Sequence, residues 1–348
     1  MKFQCDQCKS ILNSDSVTDG MKVDCPVCGV EIVCRPYGEE HKLKLGKFSA
    51  TDDTEGAEEN LSKVIQEKMA SAIGIEKIQG FTLSGLFSEV FSKHSREEVE
   101  DYFTVGTSKS TPDILEVDVS CPKPWLFARM IIASLVLYFL LLIGWAMWGN
   151  TKLVPGLMLV GSFAIPFSML VLFVELNVRR NISLYMVLRL AFLGGIVSLL
   201  ITHLLPIFPM LLSVFVSDWS DLLGASVAGP EEETAKVLAM VAVTSGARYR
   251  YKLNGLLVGA AVGAGFAAFE SAGYAFDVIL MGGSMDDMVG NINMRGILSP
   301  FGHIVWSAIA GYALWRVIKG QKFSWRMLCD ERFIMVLLIP VILHMIWN

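Results

Sequence analysis

Six residues able to do proton or metal chemistry stand in stretches apolar enough to lie in a bilayer. Glu232, Glu233 and Lys236 belong to the run Gly229-Pro230-Glu231-Glu232-Glu233-Thr234-Ala235-Lys236, and Glu270, His303 and His344 follow. Ionisable groups at membrane depth are costly and mark sites or pathways, so each needs a reason to be there. Two chemistries suit this set. Histidines and carboxylates can hold a zinc ion whose open position activates water, here Glu270, His303 and His344 with one of the paired glutamates, the other acting as base. Alternatively, Glu232 and Glu270 share a proton and activate water directly, and His303, His344 or Asn348 stabilises the oxyanion. Lys236 lies four residues after Glu232 and three after Glu233, so it can pair with either and lower the cost of burying their charge.

The elements that must position these groups are membrane helices. With 53% hydrophobic and 18% charged residues among 348, the chain is too apolar for an average soluble domain. Runs of about 20 apolar residues, enough to cross a bilayer, lie at 126–148, 153–176, 182–203, 224–246, 253–280, 296–316 and 331–348. The expected fold is an all-α membrane bundle of about seven spans over 123–348. The stretch 204–223 is interrupted by Pro206 and Pro209 and ends in Asp218-Trp219-Ser220-Asp221, which suits a surface or re-entrant segment.

Loop charge sets the orientation. Arg179, Arg180, Arg248, Arg250, Lys252, Arg316, Lys319, Lys322, Arg326 and Arg332 fall on one side, and only Lys152 and Arg295 on the other. By the positive-inside rule the N-terminal head is cytoplasmic and the protein is a multi-pass protein of the cell membrane. At a rise of ~1.5 Å per residue from the inner ends, Glu232, Glu270, His303 and His344 lie ~24, ~27, ~20 and ~18 Å above the inner boundary. Four helices thus bring polar groups to one depth in the outer leaflet.

Local patterns aim them inward. Gly255, Gly259 and Gly263 form a small face that allows close helix packing, and Glu270 continues it seven residues later. Phe266 is placed to wall the site. His303, Ser307, Ala310 and Gly311 make a second small face, and Pro340 can kink the last span one turn before His344. Gly229-Pro230 reads as a helix start with the proline at its first position. His41, His94 and His203 lack comparable company and are read as structural.

Residues 1–122 are different in character. No apolar core of signal-peptide length opens the sequence, so the head is expected to stay on the side of synthesis. Cys5-x-x-Cys8 and Cys25-x-x-Cys28 are spaced to close a tetrahedral zinc site, giving a zinc ribbon over 1–37 whose four thiolates fill the coordination and make the metal structural. Over 38–122 a polar linker leads into short helices, with apolar stripes at 61–73 and 86–91 and a capping box at Ser95-Arg96-Glu97-Glu98. The net charge of −5 gives no basic field, so nucleic acid is not an expected partner.

At these residues the chain resembles the PrsW family of intramembrane proteases, related to the CAAX-prenyl endopeptidases. Glu232-Glu233-Thr234-Ala235-Lys236 matches the family's EExxK motif, Phe266-Ala267-Ala268-Phe269-Glu270 its FxxxE motif, and His303 and His344 its two histidine positions. Glu231 makes a triple glutamate, and Lys236 fixes the register. The resemblance implies an endopeptidase acting in or beside the transmembrane segment of a single-span membrane protein, as with anti-sigma factors. The competing expectation is a non-catalytic membrane scaffold or sensor that recruits partners through the zinc ribbon. A transporter would also use buried Glu and His, but no inverted repeat supports it.

Overall fold

From Trp125 onward the apolar runs become long helices, packed so that one of them is enclosed by the rest. The computed structural model describes residues 2–4, 11–13, 21–24, 31–33, 64, 67, 85–95, 98, 103–107, 110–112, 117, 120–204, 227–244, 249–298 and 302–347. The helices are α1 (Leu126–Trp148), α2 (Val154–Glu175), α3 (Leu184–Leu204), α4 (Ala228–Val243), α5 (Lys252–Leu280), α6 (Met285–Leu298), α7 (His303–Ile318) and α8 (Glu331–Trp347).

Among the described residues, five stretches are long and apolar enough to cross a membrane: α1, Thr151–Glu175, α3, α5 and Met285–Ile318, the last containing α6 and α7. The chain is therefore a multi-pass helical membrane protein. The spans expected at 224–246 and 331–348 correspond to α4, of 16 residues, and α8, of 17. At ~1.5 Å per residue these are ~24 and ~26 Å long, short of a hydrocarbon core of about 30 Å. The span expected at 296–316 is divided, because α6 ends at Leu298 and α7 begins at His303. Pro300 and Gly302 stand between them in the sequence, and neither favours a continuous helix.

α5 is the central helix. Of its most apolar window 78% is buried, against 11% for α1, which lies at the periphery. The glycine face does what its spacing promised. A methyl group on Gly255 would lie 2.6 Å from Trp315 Cβ, on Gly259 2.6 Å from the Ser307 carbonyl carbon, and on Gly263 2.8 Å from Ser307 Cβ, so α5 and α7 meet nearly backbone to backbone. Gly265 serves the opposite face, where its missing side chain admits the backbone of Ala191. Ala191 belongs to a π-bulge at Leu190–Gly194 in α3, a wider turn that re-aims the helix against α5.

Polar ties close the end of the bundle nearest the head. Asn181 and Asn254 exchange amide hydrogen bonds of 3.1 and 2.7 Å, Arg179 donates to Tyr251 Oη at 2.7 Å, and Trp315 Nε1 donates to the Tyr249 carbonyl at 2.8 Å. The last residue of α2, Glu175, accepts from the backbone N–H groups of Trp125, Leu126 and Phe127 at 2.9, 2.9 and 3.0 Å. It satisfies donors that the first turn of α1 cannot pair internally.

In the head, strands β1 (Lys2–Gln4) and β2 (Ile11–Asn13) form one antiparallel hairpin, and β3 (Lys22–Asp24) and β4 (Glu31–Val33) another. Each hairpin encloses one CxxC sequence; Cys5, Cys8, Cys25 and Cys28 themselves lie outside the described residues, as do His41, the linker 38–60, 205–226 and Asn348. The stripe at 86–91 is a single 3₁₀ turn, Gly85–Phe87, followed by turns and not by a helix. Arg129 of α1 binds the carbonyls of Val90 and Ser92, which a helix would have kept for its own amides. The capping box is formed: Ser95 N donates to Glu98 Oε2 at 2.6 Å and Glu98 N to Ser95 Oγ at 3.1 Å. His94 stacks on Trp125 with ring centroids 3.6 Å apart, and exposed His203 bonds the Leu199 carbonyl through Nδ1, so neither joins the polar cluster.

Candidate active site

Adjacent glutamates on a helix point about 100° apart, so Glu232 and Glu233 reach different neighbours. α4 begins at Ala228, two residues before the expected start, and Pro230 sits at its third position, where its missing N–H would have had no helical partner. Gly229 lets α4 approach α8, since a methyl there would lie 2.8 Å from Met345 Cγ. From α4, the Glu233 carboxylate turns into the protein interior. Its Oε1 accepts from Lys236 Nζ at 2.6 Å and faces His344 Nδ1 at 3.1 Å, and Glu233 and Lys236 are both fully buried. Lys236 Nζ also lies 3.7 Å from Glu232 Oε2 and 4.3 Å from the centre of the Phe266 ring, which walls the cluster as expected.

His303 is the first residue of α7, held beside α5 by the glycine contact, and both of its ring nitrogens are engaged. Nδ1 lies 2.9 Å from Lys236 Nζ and Nε2 lies 3.0 Å from Glu270 Oε2. An ammonium can only donate, so Nδ1 is the acceptor and Nε2 carries the proton towards Glu270. The His303 and His344 rings meet edge to face at 4.9 Å, and Trp306 covers His344 at 4.8 Å.

The sequence-predicted residues Glu232, Glu233, Lys236, Glu270, His303 and His344 are therefore brought together from α4, α5, α7 and α8. Within this cluster the group with ligand atoms all within 4.8 Å of one another is Glu232, His303 and His344. Glu232 Oε2 lies 3.8 Å from His303 Nδ1 and 3.7 Å from His344 Nε2, and it is buried without a hydrogen-bond partner. Tetrahedral zinc with bonds of about 2.1 Å needs ligand atoms roughly 3.4 Å apart, so this donor set suits a divalent ion once the side chains draw in and Lys236 Nζ releases His303 Nδ1. Glu270, expected with the two histidines and one of the paired glutamates in a zinc site, meets His303 on its Nε2 side.

Charge balance points the same way. Three carboxylates, Glu232, Glu233 and Glu270, face two permanent cations, Lys236 and Arg295, leaving one negative charge to be matched by a proton or a metal. Sequence reasoning gives Arg295, on α6, no role beyond an outer loop charge. In the structure it binds Glu270 through Nη2 and Ser271 Oγ through Nε at 3.0 Å. An arginine on the side where positive charge is scarce was the available signal, because such a residue calls for a counter-ion.

Beside the cluster is a cavity of about 460 Å³, lined by Glu232, Glu270, His303 and His344 on one side and by Tyr274, Arg295, Trp306 and Trp347 among others. Glu233 and Lys236 lie behind its lining and contact the lining residues His344, His303 and Glu232. Comparison with curated proteins and with solved structures finds no match. Residues 183–348, which carry α3 to α8 and every group of this cluster, match the family model described as PrsW family intramembrane metalloprotease, and in this part the chain is similar to that family of membrane proteases.

Proposed function

We propose that the chain is an intramembrane metalloprotease in which Glu232, His303 and His344 hold a divalent metal and Glu270 serves as general base. The observation that carries the reading is the buried, unpartnered Oε2 of Glu232 facing two histidine nitrogens at the edge of a cavity. A metal bound there would polarise the scissile carbonyl and lower the pKa of bound water. The protein groups do the rest. Glu270 is held by His303 and Arg295 through Oε2, while its Oε1 has no hydrogen-bond partner among the described residues. It takes a proton from the attacking water as the new C–O bond forms, and returns it to the amide nitrogen as the C–N bond breaks. Lys236 and Glu233 compensate one another and lock His344.

The substrate class we infer is a single-span membrane protein, anti-sigma-factor-like by the family resemblance, cut near the outer leaflet. Loop charge supports a cytoplasmic head and a cell-membrane location. The hairpins around the two CxxC sequences support a separate structural zinc held by Cys5, Cys8, Cys25 and Cys28. One observation favours a metal-free glutamate mechanism instead: the Lys236 ammonium already stands 2.9 Å from His303 Nδ1.

Metal analysis with cleavage of a single-span reporter decides between them, using wild type, Cys5→Ser/Cys8→Ser and His303→Ala/His344→Ala in lipid nanodiscs. We expect two zinc equivalents in wild type, one lost with each pair, and activity lost with the histidines. Loss of cleavage with no change in metal content would establish the glutamate mechanism. Unaltered cleavage in the histidine variant would remove both mechanisms, and failure of wild type to cleave would leave the scaffold reading.

A further inference from the structure

We propose that Arg295 is a catalytic residue, its Nη1 donating to the scissile carbonyl oxygen as that oxygen becomes negative. The inference rests on the protease reading and assigns a role that reading leaves open. Attack of water on an amide places a full charge on the former carbonyl oxygen, and donors fixed beforehand in a water-poor site are the main way to stabilise it. The groups expected from sequence for this task are His303, His344 and Asn348. Asn348 lies outside the described residues. Both nitrogens of His303 are committed, and those of His344 face Glu233 and Glu232. Lys236 is fully buried and does not reach the cavity.

Arg295 is the one lysine or arginine among the described cavity-lining residues, and a quarter of its side chain is exposed. The guanidinium is a rigid fork with five donors. Nε is held by Ser271, Nη2 by Glu270, and the plane lies 4.3 Å over the Tyr274 ring. No hydrogen bond from Nη1 is found among the described residues, and Arg295 lines the cavity. Arginine–carboxylate pairs are frequently bidentate, with two prongs side by side on one carboxylate. Here one prong holds the base, the Nε holds a hydroxyl, and the third has no hydrogen bond among the described residues. The water that Glu270 activates and the oxygen that Arg295 stabilises belong to the same scissile amide, so one ion pair aligns both.

The test is steady-state cleavage of the reporter by Arg295→Gln and Arg295→Lys in nanodiscs, with the affinity of a phosphinic peptide, an anionic mimic of the tetrahedral state, measured on the same samples. We expect Arg295→Gln to lose about 10²–10³-fold in kcat, the cost of one such donor, with KM within about 2-fold and metal content unchanged. Phosphinate affinity should fall in step with kcat/KM while uncleaved reporter binds as before. Arg295→Lys keeps the charge and the Glu270 pair but not the fork, so it should stay folded and still lose at least 10-fold in kcat. A kcat within 2-fold of wild type overturns the proposal. So does a loss confined to KM, which would make Arg295 a contact for an acidic substrate side chain, or a kcat loss with unchanged phosphinate affinity, which would make it a positioning residue for Glu270. If wild type does not cleave the reporter, the protease reading falls, and this assignment with it.

Discussion

Glu232 and Glu233 are neighbours in sequence and do opposite things. Glu233 is sealed in with Lys236, while Glu232 lines the cavity and turns its Oε2 towards two histidine nitrogens. Removing the lysine strands a buried carboxylate, a change that costs about 3–5 kcal/mol when one partner of a buried pair is lost. Lys236→Met should therefore lower the unfolding midpoint sharply, and Lys236→Met/Glu233→Gln should recover much of it without recovering cleavage. Differential scanning fluorimetry of both variants checks the first claim and reporter cleavage the second. At this scale the sequence was highly legible: a charged group in an apolar run announces itself, and six such groups converge. Arg295 was legible only as an arginine on the side poor in positive charge; its partner, Glu270, 25 residues away, is seen only in the structure. Nor did the sequence separate the surroundings of Glu232, facing both histidines, from those of Glu270, paired with His303 and Arg295, since depth along a helix does not say which atom faces which.

The element that positions the site is the contact of α5 with α7, where absent side chains let His303 come within reach of Glu270. A bulky residue in that contact must push the helices apart. Gly259→Val should abolish cleavage and lower stability, because even its first added carbon meets the Ser307 backbone. Gly273 lies in the same helix with nothing within 4 Å of an added methyl. There Gly273→Ala should raise stability by about 0.5–1 kcal/mol, the helical advantage of alanine over glycine, and leave cleavage unchanged. Thermal unfolding of the pair with a cleavage assay separates packing from propensity. The glycine spacing was readable in advance because small residues at four-residue intervals leave a groove along a membrane helix that only a closely packed neighbour can fill. The break between α6 and α7 was not, since hydropathy averages over Pro300. The turns at 85–92 bind Arg129 through the Val90 and Ser92 carbonyls, a contact that no local pattern contains.

Across the whole molecule, the polar cluster occupies one part of the helical body, and Glu175 ties α1 to α2 in another. α1 carries no residue of the cluster and buries little of itself, yet three amides at its start depend on a side chain met 48–50 residues later. For a chain made from its N-terminus this sets an order of events. Until the ribosome has delivered Glu175, those amides lack the carboxylate that accepts from them in the folded protein, so the opening turn of α1 is not yet secured. The first two helices should then enter the lipid as a pair, with α1 unsettled until α2 is complete. Site-specific crosslinking of stalled nascent chains to lipid and translocon, with Glu175 and with Glu175→Ala, would show the wild-type pair released together and the variant's α1 retained at the insertion machinery.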